Sequence, residues 1–235
     1  ENLKININIL ESIIQNPDIS LINLGSSCIY PLNAENPIKE TSLMNGKLEP
    51  TNSPYAMAKL TAIEMGDALK QQYGHKIINL MPTNLYGPND HFSEKDSHVI
   101  PGLIFRMEKA KQNKETNFSV WGTGTPKREF LHVDDLASAV FFVSQNSMNE
   151  HLYNVGSNID LTIMQLSAII QNVVGHNGNV QWDTTKPDGT MRKIMDSKKL
   201  NNMGWTNKIH LNEGIKMTYK WFLENYKNLK NVKIK

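Results

Sequence analysis

The stretch that decides the fold reads ISLINLGSS over residues 19–27. The apolar residues from Ile19 to Leu24 predict a β-strand, and Gly25 is a residue type that ends one. Ser26 and Ser27 follow at once, and open α/β sheets bind their ligands at the carboxyl ends of their strands. The stretch therefore predicts a strand that delivers hydroxyl groups to a functional edge of a sheet.

The segments beyond this strand alternate between helical and extended patterns. Ser53–Tyr73 begins with a capping serine and a proline at the first helical position, and Gly74 follows as a helix stop. Thr162 and Gln165 form a capping box before an apolar helix that Gly175 ends. Further strands are predicted at 76–81, 118–121, 130–133, 153–155 and 180–182, and further helices at 101–111 and 212–226. Such alternation predicts an α/β fold.

The domain organisation follows from this pattern. We predict the C-terminal part of a Rossmann-type doubly wound parallel sheet, joined to a smaller α/β substrate-binding lobe. Residues 1–90 and 130–160 are assigned to the dinucleotide-binding Rossmann domain, and residues 91–129 and 161–235 to the lobe. A dinucleotide-binding domain opens with a strand, a glycine-rich turn and a helix. Because neither G-x-G-x-x-G nor G-x-x-G-x-x-G occurs in the sequence, we interpret it as a fragment or as one part of a split protein.

Composition narrows the class of protein. Hydrophobic residues make up 39% of the 235 residues, as in ordinary globular proteins. The net charge of +2 is too small to indicate binding to nucleic acid or to an acidic membrane. Cys28 is the single cysteine, which excludes an internal disulfide and fits a reducing compartment. With no apolar run of membrane-spanning length and no signal-peptide pattern, we expect a cytoplasmic protein.

The first predicted helix carries two apolar stripes. Leu3, Ile7, Leu10 and Ile14 form one, and Ile5, Ile9 and Ile13 form the other. A helix that is apolar on two faces is buried on two sides, whereas a lone domain covers only one. Packed beside the helix at 53–73, it would give two subunits a four-helix interface, so we predict a homodimer.

Tyr55 and Lys59 are four residues apart and therefore share one face of their helix. A lysine ammonium near a phenol favours the phenolate, so the tyrosine can exchange a proton near neutral pH. An ordinary amphipathic pair has the same spacing. The order strand, serine, tyrosine, lysine favours the catalytic interpretation, in which Ser26 donates a hydrogen bond to a substrate carbonyl beside Tyr55.

Ser26, Tyr55 and Lys59 resemble the catalytic triad of the extended short-chain dehydrogenases/reductases. Two segments are similar to the sugar-nucleotide branch of that family, PTNLYGP at 82–88 and WGTGTPKREFLHVDD at 121–135. Three more resemble the GDP-L-fucose synthases within that branch: SSCIYP at 26–31, SHVIP at 97–101 and KPDGT at 186–190. The resemblance extends from the first predicted helix to the last.

This resemblance implies an NADPH-dependent enzyme that converts GDP-4-keto-6-deoxy-D-mannose to GDP-L-fucose, by 3,5-epimerisation and then reduction of the 4-ketone. Ser26, Tyr55 and Lys59 would act on the ketone oxygen. Cys28 and His98 would move protons at carbon, and a thiol and an imidazole both titrate near physiological pH. The resemblance also implies a homodimer and no metal.

The resemblance implies two sets of binding residues. The NADP(H) contacts would be Leu24, Gly25, Ser26, Ser27, Tyr55, Lys59, Pro82, Thr83, Asn84, Leu85 and His98. The substrate contacts would be Arg106, Trp121, Arg128 and Asp188. A guanidinium binds phosphate oxygens in a fork, a tryptophan offers a flat surface, and a carboxylate accepts hydrogen bonds from sugar hydroxyls. Because the glycine-rich turn is missing from the sequence, we expect this chain alone to bind NADPH weakly and to show no reductase activity.

Three other interpretations stay open from the sequence. The chain could be a sugar-nucleotide 4-epimerase or 4,6-dehydratase on the same scaffold, although a dehydratase would carry an acidic pair where Ser27 and Cys28 stand. It could also be an inactive sugar-nucleotide-binding fragment or an interaction protein. The choice between NADP and NAD depends on residues after the second strand of the dinucleotide half, which this sequence lacks.

Overall fold

The computed structural model describes residues 1–229, and the chain divides into two compact α/β units. Unit 1 comprises Glu1–Asn84, Leu136–Ile159 and Lys193–Asn207. Unit 2 comprises Leu85–Asp135, Asp160–Arg192 and the residues from Lys208 onward. The helical and extended segments alternate as the sequence predicts.

Seven helices and nine strands are described in chain order. The helices are α1 Asn2–Ile14, α2 Ser53–Tyr73, α3 Val99–Gln112, α4 Val133–Gln145, α5 Ile163–Val174, α6 Lys198–Asn202 and α7 Leu211–Leu229. The strands are β1 Leu21–Leu24, β2 Ile77–Pro82, β3 Asn84–Tyr86, β4 Asn117–Trp121, β5 Lys127–His132, β6 Leu152–Val155, β7 Asp160–Thr162, β8 Asn179–Asp183 and β9 Arg192–Lys193. Every helix in the described part of the chain is too short or too polar to cross a membrane.

Unit 1 is built on a parallel sheet in the order β1-β2-β6. Strand β2 lies at its centre and is buried along most of its length, which explains its continuous apolar run. Helix α2 packs on β2 and on α1, with Leu60 and Ile63 in one apolar cluster and Leu69 in a second. The carboxyl ends of β1 and β2 therefore lie side by side at one edge of the sheet.

The polar connection between β1 and α2 is fixed by a buried hydrogen-bond network around Asn154 of β6. The Asn154 amide donates to the carbonyl oxygen of Ile38 at 2.9 Å, and its backbone N–H donates to Glu40 at 2.9 Å. Tyr30 donates its hydroxyl to the Asn154 side chain at 2.6 Å. Because each of these buried polar groups has a partner, the connection is held firmly without regular secondary structure.

Unit 2 has a larger apolar core and two small sheets. Strands β3, β5 and β7 form one sheet with β9 at its side, and β4 and β8 pair in parallel in the other. Helices α3, α5 and α7 pack around a buried cluster that includes Ile104, Met107, Leu166, Ile170 and Phe222. Packing between helices therefore provides most of the apolar core of unit 2, and loops of the unit contribute to a surface pocket.

Several sequence expectations meet a different structure. Lys193–Asn207, which the sequence analysis assigns to the lobe, belongs to unit 1, because Ile38 donates its backbone N–H to Ile194 and Asp196 donates to Ile38, each at 2.8 Å. The last helix begins at Leu211, one residue before its predicted start at 212. The capping box at Thr162 and the end of α5 at Gly175 are confirmed.

Helix α1 is covered on one side only within unit 1. Leu10 and Ile13 are buried against α2 and β2, while other members of both predicted stripes stay exposed: Leu3, Ile5, Ile9 and Ile14. Each predicted stripe contains both buried and exposed residues, so neither stripe by itself forms the buried face of α1. An apolar surface on α1 is therefore left over in the single chain.

Candidate active site

Ser26 stands where the sequence predicts, just past the carboxyl end of β1. It is extended and caps a short 3₁₀ turn over Ser27–Ile29, its hydroxyl oxygen accepting the backbone N–H of Cys28 at 3.2 Å. The hydroxyl hydrogen of Ser26 stays available for a substrate oxygen, since a serine hydroxyl is both donor and acceptor. Ser27 is buried, and Cys28 is half-buried with a free thiol.

Tyr55 and Lys59 lie on one face of the first turns of α2, as their spacing predicts. The Lys59 ammonium is 5.9 Å from the centre of the Tyr55 ring and donates to the carbonyl oxygen of Leu24 at 2.8 Å. That hydrogen bond connects α2 to the end of β1, next to Ser26. Partial burial lowers the pKa of Lys59 below its ordinary value. Tyr55 remains 38% exposed, so a ligand can reach its hydroxyl.

Of the other predicted cofactor contacts, Gly25, Pro82, Thr83 and Asn84 belong to unit 1, whereas Leu85 and His98 belong to unit 2. Gly25 continues the pairing of β1 with β2, donating its backbone N–H to Leu80 at 2.9 Å. A Cβ atom at Gly25 would stand 2.2 Å from Met81 Cε, so a larger residue there would require the buried Met81 side chain to move. Pro82 ends β2, and Thr83 is buried and donates its N–H to Val155 at 3.0 Å. Asn84 and Leu85 follow in β3.

Unit 2 contains a pocket of about 500 Å³ that gathers the predicted residues of that unit. Its lining comes from α3 and the loop before it, from the end of β4 and the loop after it, from β5, from the start of α5 and from the loop after β8. The five sequence-predicted residues that line it are His98, Arg106, Trp121, Arg128 and Asp188. They are far apart in the sequence, and the fold of the unit brings them to one place.

Two arginines give the pocket its positive charge. The Arg106 guanidinium lies 4.9 Å from the centre of the Phe118 ring and donates to the carbonyl oxygen of Ser119. Arg128 donates to the carbonyl oxygen of Lys127 at 2.8 Å. Partial burial lowers the pKa of both guanidinium groups, and Asp188 opposes that shift at Arg128. Each arginine stays charged and is held by a cation–π contact or a backbone bond that leaves other N–H donors for an anion.

Asp188 joins two loops of the pocket. Its carboxylate accepts the backbone N–H of Thr123 at 2.9 Å and the Thr123 hydroxyl at 2.7 Å, and these bonds hold the pKa of Asp188 below its ordinary value. Gly122 is left-handed, with φ of 81°, and a Cβ there would stand 2.3 Å from Asp188 Oδ1. We call this arrangement of Gly122, Thr123 and Asp188 the loop latch. It fixes the loop that follows Trp121.

Trp121 and His98 are exposed, as is Asp188. Trp121 is 66% exposed, and the Lys186 ammonium lies 5.8 Å from its ring centre. His98 caps the N-terminus of α3 with its backbone, while its side chain makes no capping bond. Burial raises the pKa of the nearby Asp90 carboxyl, which His98 and His91 partly counter.

Sequence reasoning missed three residues at or beside the pocket. Lys95 lines it from the loop before α3, Thr123 forms the loop latch, and Lys186 lies over Trp121. Thr123 and Lys186 sit inside segments that carried the family resemblance, which was the available signal. Lys95 had none, because an exposed lysine in a polar loop has no distinguishing pattern.

Comparison with known proteins decides the family. The model of the NAD dependent epimerase/dehydratase family matches residues 1–156. The chain belongs to this family. The Rossmann-like α/β fold predicted from the sequence is confirmed.

Several relatives are named GDP-L-fucose synthases. A putative GDP-L-fucose synthase 2 of Arabidopsis thaliana is 51% identical over 225 residues, which cover 95% of this chain and 68% of the relative. GDP-L-fucose synthase of Escherichia coli strain K12 is 45% identical, covering 96% and 73%. The solved structure of a GDP-L-fucose synthetase from Naegleria fowleri bound to NADP is 32% identical, with a TM-score of 0.89, covering 96% of this chain and 73% of that one. The predicted family resemblance is confirmed.

Proposed function

We propose that this chain carries the catalytic and substrate-binding residues of a GDP-L-fucose synthase, which converts GDP-4-keto-6-deoxy-D-mannose to GDP-L-fucose with NADPH. The observation that carries the proposal is the unit 2 pocket, which unites one imidazole, two arginines, a tryptophan and a carboxylate. A nucleoside diphosphate sugar needs cations for its phosphates and a flat surface for a ring. The high identity to GDP-L-fucose synthases supports the same assignment.

Reduction of the ketone is assigned to unit 1. Ser26 donates its free hydroxyl hydrogen to the C4 oxygen, and Tyr55 delivers a proton to that oxygen. Lys59 stabilises the tyrosine phenolate left behind, because its ammonium lies close to the ring. NADPH, when bound, supplies the hydride to C4. The residues of unit 1 that would hold it lie at the carboxyl ends of the parallel strands β1 and β2, where open α/β sheets bind their ligands.

Epimerisation is assigned to Cys28 and His98. A C4 ketone acidifies the protons at C3 and C5, so removal of either proton leaves an electron pair that delocalises into the carbonyl as an enolate. An acid then returns a proton on the opposite face of the ring. A thiol and an imidazole can each give or take that proton near neutral pH. Both groups are open to approach, because Cys28 is half-buried and His98 is exposed.

Substrate recognition is assigned to the unit 2 pocket. Arg106 and Arg128 bind the diphosphate through their remaining N–H donors, and Trp121 offers its exposed face to a ring of the substrate. Asp188 keeps lone pairs for a sugar hydroxyl while it holds the loop latch closed. The 4,6-dehydratase interpretation loses support, because Ser27 and Cys28 occupy the turn where that chemistry would place an acidic pair.

We also infer a homodimer in the cytoplasm. The exposed apolar side chains Ile5, Ile9 and Ile14 on α1 leave an apolar surface for the same surface of a second copy, as isologous dimers require. Substitution Ile9→Glu places a charge there and should convert the dimer to a monomer in light scattering at micromolar concentration. A wild-type monomer under those conditions would remove the dimer from the proposal.

Solvent-deuterium exchange tests the chemistry. The assay uses the full-length protein with GDP-4-keto-6-deoxy-D-mannose and NADP⁺. Because NADP⁺ carries no hydride to transfer, exchange can be followed without reduction of the ketone. We expect Cys28→Ser and His98→Asn each to slow exchange at C3 or C5 by about 10²–10⁴-fold, the usual contribution of a general acid or base. Undiminished exchange at both carbons in both variants would refute the assignment.

A further inference from the structure

In the loop that leads into α3, the Ser93 hydroxyl accepts the backbone N–H groups of Lys95 and Asp96 at 3.3 Å and 3.5 Å, and the two ends of the loop are joined by the hydroxyl of Ser97. It donates to the carbonyl oxygen of His91 at 2.7 Å, with the carbonyl oxygen of Ser93 also within reach at 3.0 Å. The same oxygen accepts the backbone N–H of Ser93. One side chain thus ties positions 91, 93 and 97 together and closes the loop on itself.

His98 follows directly and depends on this loop for its placement. Its carbonyl oxygen accepts the N–H of Gly102 at 2.9 Å, which fixes the helical side of the residue. Its side chain makes no capping bond, so the helix end does not orient the imidazole. On the N-terminal side of His98, the hydrogen bonds of Ser97 fix the backbone that leads into the residue.

We infer that Ser97 is the positioning residue of His98: its hydroxyl holds the loop so that the imidazole points into the unit 2 pocket. This inference rests on the proposed function of His98. His91 is exposed and Ser93 is only half-buried, so water can replace the bonds that a missing hydroxyl leaves. Removal of the hydroxyl therefore loosens the loop and leaves the unit folded.

The test is a double-mutant cycle on solvent-deuterium exchange, with the complete polypeptide, GDP-4-keto-6-deoxy-D-mannose and NADP⁺. We expect Ser97→Ala to slow the exchange step that depends on His98 by about 10–100-fold, because small misplacements of a catalytic group have effects of that size. Ser97→Thr keeps the hydroxyl and should restore most of the rate. In a His98→Asn background, Ser97→Ala should add no further loss, since both changes act through one group.

Matched measurements separate positioning from a general structural effect. Ser144→Ala removes an exposed hydroxyl that bonds only within its own helix, to Phe141 at 2.7 Å, and should leave exchange unchanged. The KM for the sugar nucleotide and the thermal unfolding midpoint of Ser97→Ala should stay close to wild type. A large rise in KM, a loss of the same size in both backgrounds, or no rescue by threonine would overturn the inference.

The results for the two single variants also distinguish the role of Ser97 from the role of His98 on which it depends. If His98→Asn slows exchange but Ser97→Ala does not, the role of Ser97 is refuted while the proposed function stands. If His98→Asn leaves exchange at both carbons undiminished, the role of His98 in the proposed function and the role of Ser97 fall together.

Discussion

The two units hold their candidate functional groups in different ways. In unit 1, Ser26 and Lys59 project from the end of a strand and from a helix, whose own hydrogen bonds fix the backbone. In unit 2, Arg106 donates to Ser119 of β4, and Asp188 accepts from Thr123 of the loop after β4. Substitutions in unit 1 should therefore change chemistry without changing stability, whereas those in unit 2 should change binding and stability together.

The largest effect is expected from Tyr55→Phe. Loss of the phenolic proton should lower the rate of ketone reduction by about 10²–10⁴-fold, the usual size of general acid catalysis. Stability should hold, because Tyr55 is partly exposed on a helix that is fixed by its other face. NADPH oxidation and thermal unfolding would be measured together. Tyr73→Phe, an exposed tyrosine at the other end of α2, is the matched control, and wild-type turnover in Tyr55→Phe would remove the triad from the mechanism.

A pair of glycines sharpens the comparison through stability. Gly74 and Gly122 are both left-handed, with φ of 75° and 81°. A Cβ at Gly74 would meet nothing within 4 Å, whereas one at Gly122 would strike Asp188. Gly74→Ala should lower the free energy of unfolding by about 1 kcal/mol for the backbone alone. Gly122→Ala should lower it by more than Gly74→Ala does, because the loop latch also opens.

Urea unfolding of both variants, with titration of GDP-sugar binding, checks this contrast. Gly74→Ala should bind substrate like the wild type, and Gly122→Ala should bind it more weakly. Equal losses of stability in the two variants would show that the loop latch is not a structural bond and that the two units hold their groups alike.

The carboxylate of the loop latch gives a smaller effect with a definite pH dependence. Hydrogen bonds from Thr123 hold the pKa of Asp188 below its ordinary value, so the folded state favours the carboxylate. That contribution to stability is present above the ordinary aspartate pKa and is lost as the pH falls through the lower folded pKa. The urea midpoint of Asp188→Asn should therefore lie below that of wild type at neutral pH, and the difference should shrink in acid.

The control for this titration is Asp18→Asn, which changes an exposed carboxylate in unit 1. Its midpoint should follow that of wild type at every pH. A constant gap between Asp188→Asn and wild type from neutral to strongly acidic pH would mean that the carboxylate charge has no part in the loop latch.

The candidate residues of unit 1 could be predicted from local sequence patterns, whereas those of unit 2 could not, and the difference has a physical reason. Around Ser26, Tyr55 and Lys59 the signal is local, because a strand end and a helical spacing of four place the groups by backbone geometry alone. In unit 2 the lining residues come from a helix, strands and loops far apart in the sequence, and only the family resemblance selected them. The Thr123 bond to Asp188 and the Asn154 network join residues more than sixty positions apart, which no local pattern specifies.

The smallest effect should come from a helix end outside both sites. Helices α2 and α5 end at left-handed glycines, Gly74 and Gly175, but after α3 the left-handed position is held by Lys114, with φ of 56°. Glu115 donates its N–H to Ala110 at 2.9 Å, which completes the helix-ending motif. A left-handed side chain costs about 1–2 kcal/mol, and glycine loses part of that gain to its freedom in the unfolded chain.

Lys114→Gly should therefore raise the free energy of unfolding by about 0.5–1 kcal/mol. Lys114 is exposed and does not line the unit 2 pocket, so GDP-sugar binding should not change. Urea unfolding and a substrate titration on the same sample decide the matter. If Lys114→Gly also changed the affinity for the GDP-sugar, stability and substrate binding would be coupled throughout unit 2. An unchanged affinity would confine the coupling between stability and substrate binding to the pocket loops. There the contacts among Asp188, Thr123 and Gly122 contribute to both.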